Sequence, residues 1–295
     1  MNTLIKILSF LPLRALYGLG DVLTYPIMFY IVRYRRKIVR KNLSKAFPEK
    51  SLREIMALEK MFYHHFVDVV AEIIWSYRAS EAEMLERFES VNVDMVEELA
   101  QRKGGVIFML GHLGNWEWTA DVQQRFVNPE MRHYNVYRRL KNQSADKAMI
   151  AIREKRSGNG SCIEKNSLLR ELIRLKKEQA KFTLGLIADQ KPTPKNAHYW
   201  TTFLHQDTSF LDGGEMIAKK FDYPVTYVHM SSPRRGYYTA RVELITDEPA
   251  TTPENFITEA FARKLEANIL EAPHLWLWSH NRWKFSRPSV VEEQK

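Results

Sequence analysis

Residues 104–118, GGVIFMLGHLGNWEW, constrain this chain more than any other stretch. The apolar run 106–110 has the length and composition of a fully buried strand. Polarity then changes abruptly, into Gly111, His112, Leu113, Gly114, Asn115, Trp116 and Glu117. In an open α/β sheet, that C-terminal end of a strand is where ligands bind. Gly111 and Gly114 suit a turn there, because glycine takes backbone conformations closed to other residues and lets a substrate approach the main chain.

The spacing of His112 and Glu117 adds a condition. On one continuous helix, residues five apart point about 140° away from each other, at about 100° per residue. With His112 in the turn and a helix beginning near Asn115, Glu117 falls in the first helical turn and the two side chains can converge. A neutral imidazole beside a carboxylate is suited to act as a general base on a hydroxyl, with the carboxylate fixing its tautomer. Helix N–H groups nearby can hold a developing negative charge. No protein nucleophile stands close, since there is no G-x-S-x-G and Cys162 is distant in the sequence. By residue type alone, the same His and Glu equally close a strand and open a helix without any chemistry.

The rest of the chain alternates helix and apolar strand, the pattern of an α/β domain. Ser51 with Glu54 forms a capping box that predicts a long helix to about residue 78. Along it, Ile55, Phe62, Phe66, Val69, Ile73 and Tyr77 lie on or near one face. His65, Asp68 and Glu72 share another, read as a solvated or interface face rather than a metal site. Ser80 with Glu83 starts another helix, residues 91–93 a short strand, and Asp94 with Glu97 a helix that ends at Gly104 and Gly105. Strands are predicted at 133–137, 182–187 and 200–204, helices at 144–156, 167–177, 212–221 and 253–271, and a hairpin over 223–245 that finishes the sheet.

Two strand ends besides that of 106–110 carry polar groups. The first runs into Arg138, Arg139, Leu140, Lys141 and Asn142, where guanidinium groups can grip phosphate or carboxylate oxygens in a bidentate way or simply form a solvated loop. The second runs into Ala188, Asp189 and Gln190, where Asp189 can orient an arginine, bind an acceptor or cap a loop.

The N-terminus has its own character. Residues 4–32 are apolar but interrupted by Lys6, Arg14 and Asp21, and no small-residue cleavage site follows, so they do not read as a secretory signal. The longest uncharged run, 22–32, is too short to cross a bilayer alone. Arg33, Arg35, Arg36, Lys37, Arg40 and Lys41 come directly after it. Apolar residues followed by such a cluster suggest a segment in or on a membrane, its basic end facing anionic headgroups on the cytoplasmic side; an amphipathic helix packed on the protein's own core is the other reading. The formal net charge of +9 favours acidic partners, and one cysteine rules out an intrachain disulfide.

GHLGNWE resembles the H-x4-D/E motif of the glycerolipid acyltransferase superfamily, and in this wording most resembles the late acyltransferases of lipid A synthesis in Gram-negative bacteria. RKNLSKAFPEKS, VYRRLKN, LIADQ and PHLWLWSHNRWK match in the same order, so the resemblance covers most of the chain. Two departures, His274 where a Glu is usual and Asn281 where an Arg is usual, put in doubt only contacts made by those positions.

The resemblance implies a single mixed-sheet α/β acyltransferase domain over 42–295, preceded by an N-terminal membrane-associated helix and basic cluster over 1–41, at the cytoplasmic face of the inner membrane. It implies a fatty acyl chain carried as a thioester, on acyl carrier protein or coenzyme A, moved to a hydroxyl of an anionic lipid A precursor. His112 and Glu117 would be catalytic, with the N–H groups around Gly114 and Asn115 as an oxyanion site. Arg138, Asn142, Asp189 and Gln190 would bind substrate. No metal, no organic cofactor and no nucleic acid are expected. Acylation of another glycolipid, aminolipid or lysophospholipid fits the same motif, and a non-catalytic basic membrane- or RNA-binding protein is the rival from another class.

Overall fold

Two of the three expected helix caps form, while helix Val93–Lys103 starts after Asn92, one residue before Asp94, with no side-chain cap. The Ser51 N–H donates to Glu54 Oε2 at 2.8 Å ahead of helix Leu52–Ser76, and the Ser80 N–H to Glu83 Oε2 at 2.8 Å ahead of Glu81–Arg87. The computed structural model that defines these contacts describes residues 3–140, 142–158 and 160–287.

Among the described residues nine strands follow in chain order: β1 Phe88–Val91, β2 Gly105–Leu110, β3 Arg132–Tyr137, β4 Cys162–Glu164, β5 Phe182–Ile187, β6 Tyr199–Phe203, β7 Gln206–Phe210, β8 Val225–Arg234 and β9 Tyr237–Thr246. Seven build one mixed sheet in the order β1-β9-β8-β2-β5-β3-β4, and β6 and β7 form a separate hairpin. β2 is parallel to both of its neighbours, β5 and β8, and every one of its six residues is buried, which explains its unbroken apolar sequence. β8 and β9 are the expected hairpin, yet they do not finish the sheet. β1 adds in parallel outside β9 as a four-residue edge, Phe88–Val91, that overlaps the short strand expected at 91–93 only at Val91, because Val93 already opens a helix. The strand expected at 200–204 is one arm of the β6–β7 hairpin; its other arm, QDTSF, has too little apolar alternation to announce itself.

The helix after β2 is a 3-10 helix, Trp116–Arg125, and not an α-helix. The Thr119 hydroxyl donates to the Trp116 carbonyl at 2.7 Å, three residues back, in keeping with the tighter winding.

The N-terminal stretch is a series of short helical pieces. Helix Leu13–Leu19 continues through two π-type turns, Gly20–Thr24 and Ile27–Ile31, and then bends by 83° into helix Arg36–Ala46. The bend holds two non-glycine residues in the left-handed region, Arg33 at φ 51° and Arg35 at φ 53°. Among the described residues no single helix is long and apolar enough to cross a membrane; the bent pair passes that test only by length and composition. Leu13, Leu16, Tyr25 and Phe29 join the same hydrophobic core as the sheet, whereas Val22 is 80% exposed and Ile31 74%.

Candidate active site

Strand register assembles the site. β2 and β5 pair in parallel with Leu110 opposite Ile187, so the residues two beyond each end, His112 and Asp189, emerge side by side. His112 Nδ1 lies 2.6 Å from Asp189 Oδ1, and the His112 main-chain N–H donates to Oδ2 at 2.8 Å. The Trp276 indole N–H donates to the same Oδ2 at 2.8 Å. Three donors thus fix a carboxylate that is 3% exposed, and the carboxylate in turn fixes the imidazole.

The turn between His112 and Asn115 is clamped by the C-terminal tail. The Leu277 N–H donates to the His112 carbonyl and the Gly114 N–H to the Leu275 carbonyl, both at 3.1 Å, around an antiparallel bridge between Leu113 and Trp276. Trp276 and Trp278 are buried in this strap and pack on the core. Gly114 has φ +54°, and a Cβ there would stand 2.8 Å from Met230 Cγ, so both conformation and space require glycine. The strap also corrects one expectation. With its N–H held by Leu275, Gly114 cannot donate to an oxyanion in this conformation, whereas the Asn115 N–H has no acceptor among the described residues.

Glu117 is placed differently from the expectation as well. Among the described residues it makes no hydrogen bond to His112. Both its oxygens are taken by Arg153 of helix Gln143–Ser157, at 2.7 Å from Nε and 2.7 Å from Nη2, with the Trp116 indole N–H at 3.1 Å from Oε1. Glu117 still lies near His112, since the Trp116 ring meets the imidazole edge to face with centroids 5.0 Å apart. The carboxylate that orients the histidine is therefore Asp189, because the in-register strand ends bring it to Nδ1 while the turn aims Glu117 at the arginine.

These contacts set the charges. Burial works against an imidazolium at His112, but the charge and hydrogen bond of Asp189, with a smaller contribution from Glu117, outweigh it and raise its pKa. Burial likewise penalises the Asp189 carboxylate, and His112 together with the Trp276 donor more than offsets this, bringing its pKa to about 2. At Glu117 burial is overcome chiefly by Arg153, and the pKa is lowered. With Nδ1 engaged by a carboxylate, the basic lone pair of neutral His112 is on Nε2, and the Gln190 amide nitrogen stands 3.3 Å from it.

The second basic segment is not drawn into this cluster. Arg138 and Asn142 are exposed, and among the described residues neither hydrogen-bonds to His112. The Asn142 side chain accepts the Ala145 N–H at 3.0 Å as the N-cap of the helix that carries Arg153. Arg139 pairs with Glu164 at 2.9 Å, and Lys141 lies outside the described residues, as does Asn159 of the SGNGS loop. Sequence reasoning missed Arg153, one of several charges on an ordinary helix with nothing in its neighbours to single it out. The face holding His65, Asp68 and Glu72 is an interface: the Arg235 guanidinium donates to Asp68 at 2.8 Å, and Glu72 is fully buried among neutral donors.

Known proteins resemble this chain over nearly all of its length. The family model described as bacterial lipid A biosynthesis acyltransferase matches residues 1–285. Two similar relatives are a lipid A biosynthesis palmitoleoyltransferase of Escherichia coli (strain K12) and a lipid A biosynthesis acyltransferase of Shigella flexneri. Each is 24% identical over 293 residues, covering 92% of this chain and 91% of the relative. A turn bearing the H-x4-E residues at the end of the central strand, in a chain matched over nearly all its length, leads to one assignment: the protein belongs to the bacterial lipid A biosynthesis acyltransferase family.

Proposed function

We propose that this acyltransferase moves a fatty acyl chain from a thioester, on acyl carrier protein or coenzyme A, to a hydroxyl of an anionic lipid A precursor, with His112 as general base. The observation that carries the reading is the Asp189 contact at Nδ1, which leaves Nε2 as the basic position. Nε2 takes the proton of the acceptor hydroxyl as its oxygen attacks the thioester carbonyl. The tetrahedral oxyanion, facing the Asn115 N–H, collapses and expels the thiolate, and the imidazolium gives its proton to that sulfur. The products are an ester and a free thiol. Asp189 stabilises the imidazolium formed on the way. Glu117 acts on this step through space, and its direct task is to neutralise Arg153.

The N-terminal segment supplies the membrane seat in this reading. Its inward residues pack on the protein core, and its outward residues Val22, Leu23, Tyr30, Ile31 and Val32 stay exposed. Burying a large aliphatic side chain is worth roughly 1.5–3 kcal/mol, so several together suffice to hold a surface against a bilayer. The apolar face runs into an open groove of about 790 Å³ lined by Arg33, Arg35, Arg36, Lys37, Arg40 and Lys41, which complements anionic headgroups at the cytoplasmic face of the inner membrane.

Mass spectrometry of lipids from cells lacking the protein, complemented with wild type or His112→Ala, tests the chemistry. The expected result is a lipid A species short of one acyl chain, restored by wild type alone. A different lipid losing its acyl group would change the acceptor, and full complementation by His112→Ala would remove the general base.

A further inference from the structure

Glu72 lies 0% exposed on helix Leu52–Ser76, and no cation pairs with it among the described residues. Its carboxylate is held by three neutral donors from three separate segments. The Tyr17 hydroxyl, from the N-terminal helix Leu13–Leu19, donates to Oε1 at 2.7 Å. The Asn115 side-chain amide, three residues beyond His112, donates to Oε2 at 2.9 Å. The Tyr238 hydroxyl, from β9, donates to the same Oε2 at 2.9 Å.

Such a node is costly for stability alone. A buried carboxylate without a counter-ion is penalised by desolvation, and a well-packed apolar side chain of similar volume is often as stable or more so. Burial, reinforced by the nearby Asp68 charge and only partly offset by the three donors, raises its pKa to about 7. What the node does supply is position. Gly114 is held by the tail strap, but Asn115, itself 0% exposed, is held through its side chain by Glu72, and its amide oxygen has no partner among the described residues. Asn115 also carries the N–H left free for an oxyanion. On the far side, the N-terminal segment is pinned at the same place. Arg235 bridges Asp21 of that segment at 2.8 Å to Asp68, and Tyr17 packs beneath its guanidinium at 4.3 Å.

We propose that Glu72 is a positioning residue that ties the Asn115 end of the active-site turn to the seated N-terminal segment through Tyr17, so that the site is fully assembled only when that segment is docked. The inference rests on the acyltransferase reading above. It makes the N-terminal segment part of the catalytic arrangement as well as the membrane seat. Contact at the membrane-facing surface then reaches the site through two hydrogen bonds, Tyr17 to Glu72 and Glu72 to Asn115.

The test uses detergent-solubilised full-length protein with a carrier-protein acyl thioester and a lipid A precursor, comparing wild type, His112→Ala, Tyr17→Phe, Glu72→Gln and the Tyr17→Phe/Glu72→Gln double variant. Tyr17→Phe removes one oxygen atom and is expected to lower kcat about three- to tenfold with KM for both substrates within about twofold. Glu72→Gln, which sets a donor amide among three donors, is expected to lower kcat more, and Tyr17→Phe is expected to add no further loss on top of it. That non-additivity is the signature of coupling through Glu72. Kcat per folded molecule equal to wild type in Tyr17→Phe, with only thermal stability reduced, would overturn the proposal. So would two fully multiplicative effects. If Glu72→Gln fails to fold, the kcat of Tyr17→Phe alone decides. Activity retained by His112→Ala would instead sink the general-base reading and leave that failure distinct from this one.

Discussion

Two buried carboxylates flank His112, and they are wired in opposite ways. Asp189 reaches the imidazole directly, from the end of a neighbouring parallel strand. Glu117 is only five residues from His112 in the sequence, yet its oxygens close on the Arg153 guanidinium. Proximity along the chain placed Glu117 near the histidine; sheet register placed Asp189 against it. The difference teaches that the carboxylate which holds the histidine and the carboxylate which the motif displays are separate residues with separate partners.

The largest effect that separates them is expected from Asp189→Asn. Losing the orienting charge is expected to lower kcat by about 10²- to 10⁴-fold, the range over which general-base assistance operates. The pH profile gives the sharper sign. A general base works when neutral, so kcat/KM rises as pH rises through the pKa of His112, which Asp189 holds above the ordinary value. Removing that charge leaves burial, which acts downward, so the acid limb moves to lower pH. Glu117→Gln is expected to move the limb the same way but less. A limb that moves more in Glu117→Gln than in Asp189→Asn would reverse the comparison.

The same contrast explains what could be read from the sequence. β5 was legible to the residue and β2 to within one, because a strand packed inside the sheet has little other way to be written than as an apolar run. The abrupt polar residues at their ends marked His112 and Asp189 as site candidates. Their partnership was not legible, because which strands are neighbours is a long-range property, and a histidine followed by a nearby glutamate invites a local pairing. Gly114 was legible as a turn residue, but the tail segment that takes its N–H lies some 160 residues away. The face of His65, Asp68 and Glu72 was visible as a spacing, while its partners Tyr17, Tyr238 and Arg235 come from both ends of the chain.

A second, intermediate effect belongs to Glu117. Arg153→Leu leaves this buried carboxylate without its cation, and breaking a buried pair by removing one partner costs about 3–5 kcal/mol. The sign with pH follows from protonation. In the wild type the Glu117 pKa is depressed in the folded state, so the pair stabilises above the unfolded value of about 4.3 and that stability is lost as pH falls through the folded value. In Arg153→Leu burial is opposed only by the Trp116 donor and His112, so the folded pKa rises and the deficit is expected to be greatest at neutral pH and to shrink in acid. Denaturant unfolding at several pH values measures it. A deficit independent of pH would mean that Arg153 contributes packing alone.

The smallest effect concerns the free side of the histidine. In the resting arrangement the Gln190 amide stands at 3.3 Å from Nε2, a long contact in the place where an acceptor hydroxyl has to arrive. A hydrogen bond of ordinary geometry contributes about 0.5–1.5 kcal/mol net, and this one has to yield before the reaction begins. Gln190→Ala is therefore expected to leave kcat within about twofold and to change the KM for the acceptor lipid only modestly, since removing the amide both frees Nε2 and deletes a polar group from the acceptor's approach. Steady-state kinetics with acceptor and donor varied separately distinguishes this from the alternative. If kcat fell as far as in Asp189→Asn, Gln190 would be holding the imidazole from its second nitrogen, and both edges of His112, not the Asp189 edge alone, would define the base.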